Sequence, residues 1–281
     1  MDRPGDAASL SRLLLPWYVF RSLSRYNDLI KQLIKREILS RYRGTFLGVF
    51  WSLLRPLAML SIYTLVFGFI MQPRLGPTAN GSKLELVFSM FCGLVLFDFF
   101  AECLTRAPTL VLLYPNYVKK VVFPLEILSV AAVGAALVQL AISFAPFFVG
   151  LAILHGSLPL TALWLPVVVL PLALFALGLS WFLSSLGVFI RDVNALAPVG
   201  TTILLFASAV FYSLDQIPDK FRGLFLFNPV AVLINEARHV TLLQEPPSWD
   251  RVGIALAASI VIAAVGYVFF MRTKQAFADV M

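Results

Sequence analysis

Six long apolar stretches dominate this sequence and constrain its fold more than any other feature. An α-helix rises about 1.5 Å per residue, so roughly 20 apolar residues cross the ~30 Å hydrocarbon core of a bilayer. Hydrophobic residues make up 60% of the 281 residues and charged residues only 13%. A soluble domain of this length could not bury so much apolar surface. The sequence therefore excludes a soluble enzyme and predicts an all-α membrane protein with six transmembrane helices. The predicted spans are 46–71, 86–105, 127–154, 163–188, 198–214 and 252–271.

The distribution of basic residues predicts the orientation of these spans. An even number of spans places both termini on one side of the membrane. Fifteen of the 22 Lys and Arg residues fall in segments on that side, and six fall on the other. Basic residues accumulate in cytoplasmic loops, so we expect a multi-pass protein with both termini in the cytoplasm. The net charge of +7 is then a topology signal, and a nucleic-acid partner is not expected.

The sequence lacks the short motifs that carry phosphate-binding or hydrolytic chemistry. It contains no GxxxxGK[ST] phosphate loop, no HExxH, no GxSxG and no Cys-x-x-Cys. We therefore expect no catalytic residues, no metal site and no cofactor in this chain. Active transport would take its energy from a partner chain or from an ion gradient.

The segment 28–43 precedes the first span and has the pattern of an amphipathic helix. Basic residues edge its apolar arc, which suits the membrane headgroup boundary. Glu37 and Arg41 interrupt the arc four residues apart, in the acid-first order that favours pairing. Charges on a buried face are costly when unpaired, so we expect these two to pair or to face a protein partner. The arc consists of Leu29, Ile30, Leu33, Ile34 and Ile38.

Charged residues also lie within the first two spans. Arg55 lies nine residues, roughly 13 Å, into the first span, and Asp98 lies at a matching depth in the second. Glu102 and Arg106 follow Asp98 on the same helix face. Charged groups at such depth usually face a partner or a cavity. We predict an Arg55–Asp98 or Arg55–Glu102 ion pair; alternatively, Asp98 and Glu102 form a proton site.

The segment 211–251, between the last two spans, is too long and too apolar for a simple loop. The stretch 224–234 is too short to span, and Pro229 after Asn228 is typical of a helix start. We expect two short re-entrant helices that dip into the outer leaflet and return, at the mouth of a pathway.

Aromatic side chains near polar or broken positions are candidate channel contacts, because their flat faces can pack on sugar C–H groups. These residues are Phe97, Phe99, Phe100, Phe211 and Tyr212. Before the third span, the loop 106–126 can form a short cytoplasmic helix of the kind that docks on another protein.

Five motifs in order resemble the permease subunits of type-2 ABC exporters for polysaccharides, a family that includes O-antigen, capsule and teichoic-acid exporters. The resemblance covers about residues 28–281, and residues 1–27 look like an extension. The motifs are RYRGTFLGVFWSLLRPL (41–57), VKKVVFPLEIL (118–128), GVFIRDVNAL (187–196), FNPVAVLINEARHVTL (227–242) and FADVM (277–281).

The resemblance implies a cytoplasmic or interfacial segment at 1–45 and a six-span transmembrane domain at 46–281, in a bacterial inner membrane. Two copies of the chain would pair above two ATP-binding cassette subunits, which would carry ATP and Mg²⁺, and would move a lipid-linked glycan. The ATPase-coupling residues would be Glu37, Arg41, Asn116, Tyr117, Lys119 and Lys120. The outer gate, around 215–245, would include Asn228, Pro229, Glu236 and Arg238.

Two other functions fit the sequence. One is a type-2 ABC exporter of small hydrophobic molecules, which a narrower pore with few aromatic residues would favour. The other is an ion-coupled carrier that uses Asp98 and Glu102 as a proton relay.

Overall fold

The computed structural model describes residues 24–66, 83–118, 123–212 and 218–280, and every regular element within them is helical. The predicted all-α class is therefore confirmed for these residues. Short 3-10 or π segments extend several helices, at Gly48–Phe50, Ala107–Thr109, Leu160–Trp164, His239–Leu243 and Lys274–Ala276. The α-helices are α1 (Asn27–Tyr42), α2 (Trp51–Tyr63), α3 (Lys83–Arg106), α4 (Pro115–Val118), α5 (Glu126–His155), α6 (Leu165–Phe189), α7 (Val193–Ala207), α8 (Asp219–Leu226), α9 (Pro229–Arg238), α10 (Trp249–Thr273) and α11 (Phe277–Val280).

Four helical stretches are long and apolar enough to cross a membrane, and they confirm four of the six predicted spans. The other two predicted spans, 46–71 and 198–214, correspond to shorter apolar helices at Trp51–Val66 and Val193–Ala207. Parts of both predictions, 67–71 and 213–214, lie outside the described residues. The four long stretches are Leu84–Thr109, Glu126–Leu154, Leu160–Phe189 and Trp249–Val280.

Helix α3 lies at the centre of the bundle. Its most apolar window is 67% buried, against 28–33% for the other three long stretches. It packs against α2, α5, α6, α7 and α9. Phe88 and Phe91 contact Phe147 of α5 at ring-centroid distances of 5.7 and 6.3 Å. Side chains on α3 therefore face other helices on most sides, which is why its sequence is largely apolar apart from the face that carries Asp98, Glu102 and Arg106.

Helices α6 and α10 make the most extensive contact in the bundle, because glycines let their backbones meet. A Cβ atom on Gly178 would lie 2.7 Å from the backbone of Ala263. A Cβ atom on Gly266 would collide with the carbonyl group of Gly178. Small residues permit such close approach between membrane helices, where packing rather than the hydrophobic effect drives association.

Helix α1 packs on α5, which corrects the expectation that its apolar arc meets lipid headgroups. Ile30 and Leu33 are buried in a cluster with the first turns of α5. Ile34 fits over Gly134, where an added Cβ would lie 2.6 Å from its Cδ1 atom. The missing side chain at Gly134 makes room for α1, so protein rather than lipid covers the arc.

The C-terminal residues are held at the same end of the bundle as α1, hereafter the α1 end. Lys274 Nζ lies 3.0 Å from Glu126 Oε2 at the start of α5. Phe277 is fully buried, and its ring contacts those of Phe189 and Phe270. Helix α9 lies at the opposite end, hereafter the α9 end. There Thr161, just before α6, donates a hydrogen bond to the Val240 carbonyl at 2.7 Å.

We predict that Gly266→Ala destabilises the protein by ~1–3 kcal/mol, because the added methyl group overpacks the α6–α10 crossing. Thermal unfolding in detergent, followed by size-exclusion chromatography, measures the effect. Gly253→Ala on the same helix is the matched control, since a Cβ there meets no atom within 4 Å. Equal unfolding temperatures for the two variants would contradict the close crossing.

Candidate functional site

Four charged residues fasten α1 to the end of α3 in crossed pairs. Arg41 Nη2 lies 2.5 Å from Glu102 Oε1. Glu37 forms an ion pair with Arg106, whose Nη1 also lies 3.6 Å from Glu102 Oε1. Their side chains are between 11% and 31% exposed, so water screens the pairs only in part. Glu37 and Arg41 of α1 are thus each matched by an opposite charge on α3.

This arrangement differs from both charge pairings predicted from the sequence. Glu37 and Arg41 do pair, but with α3 rather than with each other. Glu102 pairs with Arg41 and Arg106, not with Arg55. Helix α1 brings its charges alongside the end of α3, a contact between distant segments that spacing along one helix cannot reveal. Asp98 and Arg55 form no ion pair within 4.0 Å in the part of the chain that the structure describes.

Arg36 connects α1 to the short helix α4 on the far side from these ion pairs. Its Nη1 atom donates a hydrogen bond to Tyr117 Oη at 2.9 Å, and its guanidinium lies 4.8 Å from the Tyr114 ring centroid. Tyr117 stacks on Phe123 at 4.2 Å. Partial burial lowers the pKa of Arg36, but the bond to Tyr117 and the nearby Tyr114 outweigh it and raise the pKa above its usual value. The cation–π platform therefore holds a permanent positive charge.

The structure describes four of the six predicted coupling residues, and these four lie on α1 and α4, the helices that the platform joins. Glu37 and Arg41 are on α1, and Tyr117 bonds to Arg36. Asn116 is exposed on α4, while Lys119 and Lys120 lie outside the described residues. Sequence reasoning missed Arg36 and Tyr114. Both sit in the predicted segments, but only their spatial contact distinguishes them from other surface residues.

A cavity of about 1130 Å³ lies between α2, α3, α5 and the last turn of α1. Arg41 and Arg106 line the part near the α1 end, and Arg55 and Asp98 line its middle. Gln139 of α5 lines the cavity and also bridges to α2, donating a hydrogen bond to the Ser52 carbonyl at 2.9 Å. The residues of the two alternative intramembrane pairs, Arg55, Asp98 and Glu102, therefore line the same cavity.

The aromatic residues predicted to contact substrate are divided between several environments. Phe99 lines the cavity. Phe97 and Phe100 are buried within the bundle, and Phe100 stacks on Phe175 at 5.6 Å. Phe211 and Tyr212 lie half-buried at the α9 end, where Tyr212 contacts the Phe225 ring of α8 at 6.0 Å. Their contact with substrate stays a prediction.

The α9 end contains two short helices, α8 and α9, and the break between them falls inside the predicted short element 224–234. That they are re-entrant helices of an outer gate stays a prediction. Asn228 caps α9: its Oδ1 accepts a hydrogen bond from Val230 N at 3.0 Å, and Pro229 occupies the first turn. The Asn228 Nδ2 atom donates to the Ala207 carbonyl at 3.0 Å, which ties α9 to α7. Every residue from Val230 to Arg238 is buried, so α9 packs inside protein along its length.

Two buried charges, both predicted as gate residues, lie on α9. Glu236 is fully buried and accepts a hydrogen bond from Ser248 N at 2.7 Å, with Arg251 Nη1 3.4 Å away. Among the described residues, Arg238 donates its hydrogen bonds to four backbone carbonyls. Burial lowers the pKa of Arg238 to about 10, which leaves it protonated at neutral pH. The carbonyls it binds, at 2.5–3.1 Å, are those of Ser89, Ala209, Val210 and Tyr212.

In the described ranges, no group of three or more His, Cys, Asp or Glu side chains could hold a metal ion. Cys92 and Cys103 are free and buried.

The chain matches a known family model and two known proteins over most of its length. A family model described as ABC-2 type transporter matches residues 28–242. The O-antigen export system permease protein RfbA of Myxococcus xanthus is 28% identical over 262 residues, which cover 92% of this chain and 97% of the relative. A protein of the same name from Klebsiella pneumoniae is 23% identical over 256 residues, covering 90% and 95%.

A double-mutant cycle tests the crossed ion pairs. We expect Glu37→Gln and Arg106→Gln each to lower stability, and the double variant to lose less than their sum by ~0.5–3 kcal/mol, since the two groups interact. Thermal unfolding in detergent gives the values. Arg106→Gln should have the larger effect of the two, because Arg106 serves Glu37 and Glu102. Strict additivity would contradict the pairing.

A second set of substitutions tests Arg238. Arg238→Met leaves four carbonyls without their donor, and each buried unsatisfied group costs about 1–3 kcal/mol. We expect a severe loss of folded protein in a detergent extract, and a smaller loss for Arg238→Lys, which keeps the charge with fewer donors. Arg272→Met, an exposed site on α10, is the control and should match the wild type.

Proposed function

The chain belongs to the ABC-2 type transporter family, as its motifs predict, and from that premise we propose that it is the permease subunit of an O-antigen-like polysaccharide exporter. The near-complete match to relatives named O-antigen export permeases carries the proposal. Two copies would form the path for a lipid-linked glycan through the bacterial inner membrane. ATP hydrolysis would take place in two separate subunits, since this sequence has no phosphate loop.

In this proposal the α1 end is cytoplasmic and the α9 end faces outward. The excess of basic residues in segments on the side of the termini supports that orientation. Helices α2 and α7 would complete six crossings with the four long stretches, since the apolar sequence of each predicted span continues beyond the described helix.

The ATPase subunits would dock on the surface that α1 and α4 form together. The Arg36 platform joins the two helices, and the crossed ion pairs join α1 to α3. A push on α4 would therefore reach α3, the central helix of the bundle, through contacts made by charged and aromatic side chains. Such a rigid chain of contacts suits the transfer of movement from the ATPase subunits to the permease.

The buried helix α9 would form the outer gate with α8. Broken helices persist at membrane depth only where protein or a water-filled cavity covers them. The four-carbonyl contact of Arg238 holds α9 to α3 and to the residues that follow α7. Opening the gate would require this cluster to move as a unit.

An ion-coupled carrier fits the geometry less well. Glu102, one of the two carboxylates in that alternative, lies between Arg41 and Arg106. A proton relay through Glu102 would have to break both of these ion pairs in every cycle.

Deleting the gene for this chain from a strain that carries it and displays surface polysaccharide tests the proposal. We expect surface polysaccharide to disappear while lipid-linked polysaccharide accumulates inside, as gel analysis of both fractions would show. Arg36→Ala should lower export and glycan-stimulated ATP hydrolysis about tenfold, since losing a contact worth ~1.4 kcal/mol weakens the coupling by that factor. The neighbouring Lys35→Ala, exposed on the same helix, is the control.

Transport by the purified chain alone would overturn the proposal. If vesicles that contain only this chain export the glycan in response to a proton gradient, the ion-coupled alternative is correct. Unchanged surface polysaccharide in the deletion strain would show that another protein performs the export.

A further inference from the structure

We propose that the cavity between α2, α3 and α5 binds the phosphate–sugar junction of an amphiphilic substrate, with Arg55 as the phosphate ligand and Asp98 as the acceptor for sugar hydroxyls. The inference rests on the proposed function, because it names the part of a lipid-linked glycan that this chain recognises. Cavity shape, charge pairing and the depth of the two residues each support it.

The cavity changes character along its length. Its α3 wall runs from Arg106 to Phe91, which is roughly 22 Å at the rise of a helix. Charged groups line the part near the α1 end, whereas apolar groups, including Met59, Phe91 and Leu140, line the far part. An amphiphile with an ionic head and a hydrocarbon tail matches that gradient, since each part of it meets a surface of its own polarity.

Most charges of the cavity are already neutralised inside the protein. Arg41, Glu102 and Arg106 take part in the crossed ion pairs with Glu37. Arg55 lies close enough to Asp98 and Glu102 for electrostatic attraction. Among the described residues, however, no ion pair within 4.0 Å includes it. Both Arg55 and Asp98 are exposed. These two residues are therefore the charged groups of the wall that are available to a ligand.

The positions of Arg55 and Asp98 favour a polar occupant for the cavity. Asp98 lies roughly 12 Å from the α1 end of α3, and Arg55 lies roughly 6 Å from the start of α2. A charge at that depth is costly unless water, a ligand or an opposite charge meets it. A bound polar head would meet both residues at once, while leaving the crossed ion pairs below them intact.

The chemistry of the two side chains specifies that head. A guanidinium binds phosphate oxygens through two parallel hydrogen bonds, and it keeps its charge at any physiological pH. A carboxylate can only accept hydrogen bonds, and sugar hydroxyls donate them. Asp98 would repel an anion that carried no donors, and a sugar without phosphate would leave Arg55 unpaired. A glycosyl phosphate satisfies both residues.

Binding of small probes to the full-length chain in lipid nanodiscs tests the inference. Titration calorimetry would compare farnesyl diphosphate, inorganic diphosphate and farnesol. We expect binding only for the first, opposed in part by Asp98, and a loss of about ten- to hundredfold in its affinity on Arg55→Gln, because a charge-assisted hydrogen bond disappears. Trp51 lines the cavity, so quenching of its fluorescence locates the probe, and Trp51→Phe should remove that signal.

The Asp98→Asn variant gives effects of opposite sign with two ligands. It should strengthen the binding of farnesyl diphosphate, because a repelling charge is gone. It should weaken the binding of farnesyl phosphoryl glucose, because the amide is a poorer acceptor for hydroxyls. Arg55→Lys should restore part of the affinity that Arg55→Gln loses, and it also tests the charge if the glutamine variant does not fold.

Three results would overturn the inference. One is an affinity of the Arg55→Gln variant for farnesyl diphosphate within twofold of the wild type. If that variant does not fold, an affinity within twofold of the wild type in both single variants, Arg55→Lys and Asp98→Asn, has the same meaning. Another is equal binding of inorganic diphosphate, which would indicate a site for free anions. The third is loss of affinity for both ligands in Asp98→Asn.

The outcome is separable from that of the proposed function. If export requires the chain but the substitutions leave probe binding unchanged, only the cavity assignment fails. If the substitutions abolish probe binding but export continues without the chain, the proposed function fails.

Discussion

The structure depends on the crossed ion pairs between α1 and α3. They fix a helix that lies outside the bundle to the helix at its centre, and they neutralise four charges in a region that water reaches only in part. Because Arg106 bonds to both acids, the cluster behaves as one unit rather than as two bridges. The position of α4, the floor of the cavity and the availability of Arg55 and Asp98 all follow from this contact.

The two ends of the bundle use polar groups differently. At the α1 end, ion pairs and a cation–π platform hold helices that meet at their charged surfaces. At the α9 end, one guanidinium binds four backbone carbonyls, those of Ser89 on α3 and of three residues that follow α7. Both solutions satisfy buried polar groups, which is obligatory where little water is present. A gate at one end and a docking surface at the other would exploit this difference.

Between these ends, close backbone contacts at glycines join the helices. The α6–α10 crossing relies on Gly178 and Gly266, and α1 fits over Gly134. Sequence analysis identified none of these glycines, because a glycine inside an apolar helix has no pattern that reveals its neighbour. It did identify the helix start at Asn228–Pro229, since a side-chain cap and a proline act on the adjacent backbone.

The sequence by itself determined the membrane class, the four long helices, α1, the helix start at Asn228–Pro229 and the family. These features depend on apolar run length, local helix signals and the order of motifs, all of which are written along the chain. Only the tertiary structure decided that Glu102 pairs with Arg41 and Arg106, that Arg36 joins α4, and that the arc of α1 meets protein. Those contacts join residues as far as 100 positions apart, as Ile34 and Gly134 are, and the geometry of packing rather than local pattern selects one partner among several.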